Sequence, residues 1–349
     1  MAGEPRATGP TLRANLDGRA IHWKVDGAPL SASADPPLVA AITKAMHHGH
    51  PLHVAGPISE QLLAGVDAAQ DLLTSWYPET LHKVPVVAAT RNGDQPPGTG
   101  VGLFFSGGVD AFYSLMNHAD ELTHLVMLRG FDVKLGTGSE QVWKPIRAMG
   151  EAVCNQLGLR YVEVKTNARR AVSGLSWLRI THGAILASAG LALQNTVGRM
   201  LIASSRGPTR LDPQGTHPDL DPLWSTERTR FQHDTPVERI EKVAALLNYP
   251  PAMRWLRVCH RNPHRYNCGE CEKCIRTMIA LRLTGGLGRC ETLPDRIDLD
   301  AVAALEHNTA TIRRSLALID ECETNGLPDV ADALRRSIAA HSHLVTPST

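Results

Sequence analysis

Apolar and polar residues alternate strictly near the start of the chain. On both sides of Asp17-Gly18 every second residue is apolar, as with Trp23 and Val25. Alternation around an Asp-Gly pair is typical of a β-hairpin, in which one face of each strand is buried. We therefore predict a hairpin over residues 11–25.

The rest of the first ninety residues combines short helical and extended patterns. We predict helices over residues 37–46 and after Ser59, and strands over residues 52–55 and 85–89. Residues 11–91 are expected to form a small N-terminal α+β unit, preceded by a disordered lead over residues 1–10. The neighbouring His47, His48 and His50 are interpreted as a solvated helix end rather than a metal site.

From about residue 100, short apolar runs alternate with helical periodicity. The apolar runs lie at residues 101–105, 122–128, 160–164 and 200–203, and the helical patterns lie at residues 139–157 and 175–193. Strands that alternate with helices imply the α/β fold class, with a parallel sheet and helices on both faces. In such sheets, ligands bind beyond the carboxyl ends of the strands.

The remaining segments are loops and a helical extension. We predict a linker over residues 92–100, a lid or substrate loop over 211–229, a helix over 237–247, and helices over 298–325 and 329–341. The last two helices form a C-terminal helical hairpin within an extension at residues 296–345. An apolar stripe at Leu305, Ile312, Leu316 and Ile319 is typical of packing or of a dimer interface, and we expect a homodimer.

The balanced charge and the short apolar runs of the sequence bear on which kinds of partner the protein binds. Lys and Arg total 36 and Asp and Glu total 35, so net charge does not favour a nucleic-acid or membrane partner. No apolar run reaches the ~18 residues that a membrane span needs. Residues 1–10 are polar and lack an apolar signal core, so we expect a cytoplasmic protein. The arginine pairs are scattered, which leaves a tRNA-modifying enzyme as a less favoured alternative.

A glycine-rich turn follows the first apolar run of the α/β pattern. Val101 to Phe105 ends at Ser106-Gly107-Gly108, and a helical pattern begins immediately afterwards. A strand, a tight glycine turn and a helix N-terminus direct several backbone N–H groups to one point, which suits a phosphate. We expect Asp110 to hold Mg²⁺ or to cap the helix. The alternative is an ordinary turn with Ser and Asp as caps.

Polar residues also follow the other predicted strands. Arg129 and Asp132 follow the second strand, and the segment Ser204-Ser205-Arg206 follows the fourth. Their shared place at strand ends predicts a nucleotide site. In the long loop, His217 is a candidate for contact with substrate or metal, with Asp219 and Asp221 beside it. Asx turns before proline explain these aspartates equally well.

Four of the seven cysteines are clustered. Cys259, Cys268, Cys271 and Cys274 have the spacing C-x8-C-x2-C-x2-C. Four thiolates close a tetrahedral Zn²⁺ shell, so we predict a structural zinc knot, with an iron–sulfur cluster as the rival. The charges that follow at Lys273, Arg276 and Arg282 could offset the charge of the metal centre or reach a nucleotide.

The glycine turn and the cysteines together resemble a known family. Ser106 to Ala111 resembles the SGGxDS loop of the PP-loop ATP pyrophosphatases of the adenine nucleotide alpha-hydrolase superfamily, with Ala111 in place of the usual Ser. The downstream cysteine spacing is similar to that of the 7-cyano-7-deazaguanine synthases. The resemblance implies a Rossmann-like PP-loop domain over residues 98–290 that includes the zinc knot at 259–274, and a divergent homologue with added terminal segments.

The resemblance also implies a reaction and its cofactors. It implies an ATP-dependent ligase, with Mg²⁺ and Zn²⁺, that adenylates a carboxylate or amide oxygen of a small molecule, releases pyrophosphate, and lets a nitrogen nucleophile displace AMP. The implied catalytic residues are Asp110, Arg206 and His217. The implied nucleotide-binding residues are Ser106, Gly107, Gly108, Val109, Asp110, Ala111, Arg129, Ser204 and Ser205.

Two alternatives remain open at this point. The same adenylation could serve sulfur transfer to give a thiocarbonyl, and either chemistry could use an ammonia or sulfur donor protein. Sulfur transfer needs a reactive cysteine outside the zinc set, where only Cys154, Cys290 and Cys322 remain. The second alternative is a nucleotide-binding regulator without turnover, because Ala111 departs from the family pattern.

Overall fold

The computed structural model of this chain describes residues 1–91, 96–259 and 265–341. The predicted linker over residues 92–100 and the C-terminal extension over 296–345 therefore lie partly outside the described residues. The strands are β1 (Arg6–Thr8), β2 (Thr11–Leu16), β3 (Arg19–Asp26), β4 (Leu52–His53), β5 (Ile58–Ser59), β6 (Val86–Val87), β7 (Thr90–Arg91), β8 (Gly100–Phe104), β9 (His124–Arg129), β10 (Arg160–Thr166), β11 (Val197–Ile202) and β12 (Arg230–His233). The helices are α1 (Asp35–His48), α2 (Glu60–Trp76), α3 (Val109–Asn117), α4 (Ser139–Leu157), α5 (His182–Leu191), α6 (Arg239–Leu246), α7 (Pro250–Trp255), α8 (Glu272–Leu283), α9 (Leu299–Ala303), α10 (Thr309–Thr324) and α11 (Pro328–Ala339).

The described chain divides into two compact units. The first contains Met1–Ser106 and Ser114–Val237, and the second contains Gly107–Tyr113 together with the residues from Glu238 onward. The division differs from the predicted one, in which residues 11–91 stood apart and residues 98–290 formed one domain. The glycine turn and the start of α3 belong to the same unit as the cysteine cluster and the C-terminal helices.

The first unit is built on an eight-stranded sheet in the order β1-β2-β3-β10-β9-β8-β11-β12. The five strands from β8 to β12 pair in parallel, and the three N-terminal strands pair in antiparallel fashion. Helices lie on both sides of the sheet, which confirms the α/β class. The burial of both faces explains why the central strands β8, β9 and β11 are mostly apolar.

The order of the parallel strands reverses at β8. The chain moves from β8 to β9 and β10 on one side, and then returns to β11 and β12 on the other side of β8. Right-handed crossovers in opposite directions place their helices on opposite faces of the sheet. The crevice beyond the carboxyl ends of β8 and β11 is consequently a topological switch point.

The N-terminal hairpin extends the large sheet. Its alternating pattern is confirmed, and β3 pairs with β10 so that Trp23 lies opposite Thr166. Trp23 is fully buried and donates a hydrogen bond from Nε1 to Ser188 Oγ at 3.2 Å. Residues 1–10 were predicted to be disordered but are ordered against the sheet. Ala2 is buried and forms isolated β-bridges with Leu16 and Val54. Burial of this apolar contact and of the strand edge accounts for the difference.

A buried ionic network attaches α1 to the first unit. The Asp35 carboxylate is fully buried and pairs with Arg91. Its oxygens also accept hydrogen bonds from Ser59 N at 3.0 Å and Gln194 Nε2 at 3.1 Å. These hydrogen bonds and the ion pair offset the free energy that the carboxylate loses when it is removed from water.

The region between β10 and β12 differs most from expectation. The predicted helix over 175–193 is a π-helical turn at Trp177–Thr181 followed by α5. The predicted loop over 211–229 contains a short 3-10 helix, in which Trp224 is buried. Strand β12 was not predicted, since it has only four residues and pairs solely with β11.

The second unit is helical in its described part. Ile275, Ile279, Val302, Ile319 and Leu334 lie in its apolar core, which α8, α9, α10 and α11 supply. The single helix predicted over 298–325 is divided into α9 and α10, where the side chains of Asn308 and Thr311 accept hydrogen bonds from each other's backbone N–H. Leu305, Ile312 and Ile319 of the predicted stripe are buried, whereas Leu316 is exposed.

No helix in the described ranges is both long and apolar enough to cross a lipid bilayer.

Candidate functional site

The glycine turn has the backbone geometry that the sequence predicts. Strand β8 ends at Phe104, and the next residue still pairs with the sheet through Phe105 N, which donates to Val126 O at 2.9 Å. Gly107 then has φ of +75°, a conformation that L side chains rarely adopt. Helix α3 begins two residues later, and its first turn closes with Phe112 N donating to Gly108 O at 2.9 Å.

Two serines follow the neighbouring strands of the switch point. Ser106 follows β8, and Ser204 follows β11, which is paired directly with β8. Ser204 is buried and donates from Oγ to the carbonyl of Arg206 at 3.2 Å, so it also stabilises its own turn. Arg206 contacts the Gln214 side chain once that amide is oriented with its oxygen towards the guanidinium. Ser205 between them is exposed.

Arg129 at the end of β9 is committed largely to α4. Its buried guanidinium forms an ion pair with Glu140 at 2.6 Å and donates to Ser139 Oγ at 3.3 Å. The Nε atom of Arg129 is buried and has no hydrogen-bond partner in the part of the chain that the structure describes. Asp132, which follows the same strand, is exposed. The contacts of Arg129 therefore orient the start of α4, a role that the pattern of strand ends did not indicate.

His217 is placed as a packing and turn residue. It is buried, and its ring lies edge-on to Trp76 with centroids 4.9 Å apart. Its Nδ1 accepts from Asp219 N at 3.1 Å, and its carbonyl accepts from the N–H groups of Leu220 and Asp221. These contacts match the alternative of a turn around the aspartates. Nothing in them places His217 beside the glycine turn.

Asp110 is held by two cations of the same unit. Its Oδ1 lies 2.9 Å from Lys242 Nζ, and its Oδ2 lies 3.8 Å from Arg239. Burial disfavours the charged carboxylate, but attraction to Arg239 and Lys242 outweighs burial and lowers the pKa of Asp110. Lys242 is itself buried. The predicted Mg²⁺ ligand thus serves as the counter-ion of a buried lysine.

Further charges extend this site along α8 and α10. Glu272 Oε1 lies 3.0 Å from Arg314 and 3.7 Å from Arg276, and Arg239 donates to Thr277 Oγ1 at 2.9 Å. Burial, and then repulsion from Arg239, lowers the pKa of Arg276 to about 10. We call these six residues the cationic cluster: Asp110, Arg239, Lys242, Glu272, Arg276 and Arg314.

The cationic cluster has more positive than negative groups. Within the described ranges, these four cationic side chains contact two carboxylates, and the buried Nε atoms of Arg239 and Arg276 have no hydrogen-bond partner there. Buried donors and uncompensated positive charge are costly unless an anion accepts from them. The cluster is therefore suited to a multiply charged anion near the start of α3, where the helix dipole also favours negative charge.

Sequence reasoning found only Asp110 and Arg276 of this cluster. Arg239 and Lys242 lie one turn apart on α6, and Glu272 and Arg276 one turn apart on α8. Such pairs are common on solvated helices, so their spacing alone carried no functional signal. Only the tertiary fold brings the helices together around Asp110.

The four clustered cysteines are arranged as metal ligands. Their sulfur atoms all lie within 4.8 Å of one another, and the four side chains are buried. Three of the Sγ–Sγ distances are 3.6, 3.9 and 3.9 Å. A tetrahedral ion with 2.3 Å bonds to sulfur has S–S edges of about 3.8 Å, whereas a disulfide needs about 2.05 Å. Four buried cysteines at these separations could hold a metal such as zinc.

Two backbone N–H groups donate to the sulfur of Cys268, although burial outweighs them and raises the pKa of that thiol. Cys268 Sγ accepts from the N–H groups of Glu270 at 3.4 Å and Cys271 at 3.3 Å. The hydrogen bond from Cys274 lowers the pKa of Cys271. The Asn267 amide organises the turn, because its oxygen accepts from Val258 N and Cys259 N while its nitrogen donates to Leu256 O.

The other three cysteines lie in apolar surroundings. Cys154, Cys290 and Cys322 are all buried. Burial raises the pKa of Cys154 to about 12 and that of Cys322 to about 11. The thiols of Cys154 and Cys322 are therefore protonated at neutral pH and are poor nucleophiles.

Comparison with known proteins yields no relative: no family model matches the chain, and no curated protein or solved structure is significantly similar to it.

Proposed function

We propose that this chain is an ATP pyrophosphatase-type ligase that binds ATP at Ser106–Ala111 and forms AMP and pyrophosphate. A carboxylate or amide oxygen of a small molecule attacks the α-phosphorus, and pyrophosphate leaves. On an adenylated carboxylate, a nitrogen nucleophile attacks the acyl carbon, AMP leaves, and an amide forms. On an adenylated amide oxygen, AMP leaves from the carbon while the nitrogen gives up its protons, and a nitrile forms. Adenylation converts a poor leaving oxygen into a good one.

The cationic cluster is the observation that carries this proposal. Its excess positive charge surrounds the start of α3, in the unit that holds Gly107–Tyr113. Negative charge grows on the leaving pyrophosphate during attack at the α-phosphorus. Prearranged guanidinium and ammonium groups stabilise such developing charge without reorganisation. Arg239 and Arg276 supply Nε atoms that make no hydrogen bond to the described residues.

The strand order of the first unit supports a nucleotide in a second way. Open α/β sheets bind ligands beyond the strand ends at the point where the strand order reverses. In this sheet that point lies between β8 and β11, and Ser106 and Ser204 follow those two strands. The strand–glycine turn–helix junction therefore occurs at the place where the general rule expects a ligand.

The proposal includes two metal ions, Mg²⁺ that arrives with ATP and Zn²⁺ that the four cysteines hold. Mg²⁺ would neutralise phosphate charge as part of the MgATP complex, with phosphate oxygens and water as its ligands. Asp110 accepts a hydrogen bond from Lys242 Nζ, so in this proposal it acts as the counter-ion of that lysine. For the cysteines we propose Zn²⁺ in a closed structural site that fixes the start of α8, which carries Glu272 and Arg276.

A second candidate is a nucleotide-binding regulator that does not turn ATP over. Asp110 is already neutralised by Lys242, and Ala111 lacks the hydroxyl of the family loop. Both features weaken catalysis more than binding. Sulfur transfer receives less support, because the cysteines outside the metal set are buried.

The experiment is an exchange assay with a trapping arm. The protein is incubated with MgATP, labelled pyrophosphate and a panel of small carboxylic acids. We expect label to enter ATP only when the right acid is present, and hydroxylamine to trap the activated acid as a hydroxamate. Tight ATP binding with no exchange and no hydroxamate for any acid would favour the regulator instead.

A further inference from the structure

A cavity opens at the carboxyl edge of the sheet, beside the ends of β9 and β10. Its volume is about 450 Å³, which lies within the range of small-molecule sites. Gly130 follows β9, Thr166 is the last residue of β10, and Asn167 follows it. The π-helical turn provides the opposite wall through Trp177 and Thr181. None of these residues belongs to the cationic cluster or the metal site.

The charge of this cavity is one-sided. Lys134, Arg169 and Arg170 line it, and in the described ranges no aspartate or glutamate does. Three cationic side chains without a lining carboxylate attract an anion with more than one negative charge. Arg169 lies over the Trp177 ring at 4.3 Å and donates to the carbonyl of Phe131 at 3.0 Å, so its plane is fixed. The exposed Lys134 and Arg170 stand at the rim.

The cavity also has an apolar wall. Leu135, Val172 and Leu175 line it together with Trp177. A free inorganic anion gains little from such a wall, whereas an organic body gains about 25 cal/mol for each Å² of apolar surface removed from water. The lining therefore fits a small organic molecule that carries a dianionic group.

The N-terminal hairpin holds the floor of the cavity in place. Arg19 donates to Arg170 O at 2.7 Å and to Ser173 Oγ at 2.6 Å. Asn167 accepts from His22 N at 2.8 Å and donates to Ala20 O at 2.9 Å. A loop fixed in advance by these bonds loses less freedom on binding, which strengthens affinity. The hairpin thus has a function beyond extending the sheet.

We propose that this cavity binds the dianionic group of the acceptor substrate, an organic phosphate ester, and this rests on the proposed function. Strands in a sheet lie about 4.8 Å apart, so the ends of β10 and β8 are separated by about 10 Å. An ester anchored at β9 and β10 extends its carboxylate or amide along the edge towards Ser106. The acceptor is therefore a small molecule with a phosphate ester at one end and a carboxylate or amide at the other.

The test measures binding without ATP, so that it is independent of turnover. Isothermal titration calorimetry compares phenyl phosphate with benzoate, which has the same ring and one charge, and with inorganic phosphate, which has no ring. We expect saturable binding of phenyl phosphate, about tenfold or more tighter than either comparison probe. Benzoate binding as tightly as phenyl phosphate would overturn the dianion assignment. Absence of saturable phenyl phosphate binding up to about 10 mM would overturn the site itself.

Variants locate the binding and exclude the cationic cluster as its source. The exposed pair Lys134→Gln/Arg170→Gln should weaken phenyl phosphate binding by about tenfold or more. Arg160→Gln, at the opposite end of β10, is the matched control and should leave it unchanged. Arg239→Gln should also leave it unchanged. A loss in Arg239→Gln but not in the cavity variant would assign the binding to the cationic cluster and contradict the proposal.

Discussion

The ammonium of Lys242 lies 2.9 Å from Oδ1 of Asp110, and the lysine is almost completely buried. The pair joins the first turn of α3 to α6 within one unit. A buried lysine is costly without a counter-charge, so Asp110 makes the lysine possible at this position. In turn, Lys242 adds a fixed positive charge beside the glycine turn.

Removal of one partner of this pair is expected to destabilise the protein. Asp110→Asn should lower the free energy of unfolding by about 3 kcal/mol, because Lys242 is left buried without its carboxylate. The double variant Asp110→Asn/Lys242→Met should recover part of that loss, since neither charge is then buried. Urea denaturation measures both, and a double variant as unstable as the sum of the single variants would show that the residues do not act as a pair.

Loss of a guanidinium from the cationic cluster should weaken anion binding. Arg276→Gln removes a buried donor that has no hydrogen-bond partner for its Nε atom. We expect the dissociation constant of pyrophosphate to rise by about tenfold or more, since charged hydrogen bonds contribute about 1.5–3 kcal/mol. Arg335→Gln, on the exposed face of α11, is the control and should bind pyrophosphate as the natural protein does. Equal affinities in the two variants would remove the cluster from the binding site.

Metal removal should destabilise the unit that contains the four cysteines. Elemental analysis of the purified protein should find one zinc per chain, and Cys271→Ser should lose it. The melting temperature of that unit should fall by about 10 °C or more, since metal binding to a preformed thiolate site stabilises the folded state. Cys290→Ser, a buried cysteine outside the set, should retain the zinc. A full zinc content in Cys271→Ser would contradict the assignment of ligands.

The stability of the first unit should decrease as pH rises through the titration of His118. Its Nε2 lies 3.0 Å from Asp234 and its Nδ1 lies 2.6 Å from Glu121. Burial alone would lower the pKa of His118, but hydrogen bonds to Asp234 and Glu121 outweigh burial and raise it. A raised pKa in the folded state contributes stability that is complete below the unfolded value of about 6.5 and is lost above it.

The measurement is urea denaturation at about pH 5.5 and about pH 8.5. The natural protein should lose more stability between the two values than His118→Gln does. His53→Gln, at an exposed position, should behave as the natural protein. If His118→Gln shows the same loss as the natural protein, another group is responsible for the pH dependence.

Local patterns in the sequence predicted individual strands and helices better than they predicted which strands pair in the sheet. The alternation around Trp23 predicted the hairpin, and the run before Ser106 predicted a strand, a turn and a helix. The pairing of β3 with β10 was missed, because its residues are more than 130 positions apart and nothing local marks the match. The small N-terminal unit was consequently predicted as separate from the sheet that it extends.

The candidate site shows the same limit. The cysteine spacing indicated four metal ligands because all four lie within one short segment, and their sulfurs are close together in the fold. Arg239 and Lys242 lie on α6 and Arg314 lies on α10, and only folding brings them to their carboxylate partners Asp110 and Glu272. Ser204 and Arg129 were identified at strand ends, but their observed contacts are to Arg206 and Glu140. The ends of the strands predict where a ligand binds, whereas tertiary contacts determine which side chains remain there to bind it.

The products formed from MgATP test the central claim most directly. Phosphorus NMR of a reaction with ATP, the acid selected by exchange, and ammonia should show AMP and pyrophosphate in equal amounts. Arg276→Gln should slow their formation, and Arg335→Gln should not. Formation of ADP and inorganic phosphate, or unchanged ATP with every acid that binds, would contradict cleavage between the α- and β-phosphates.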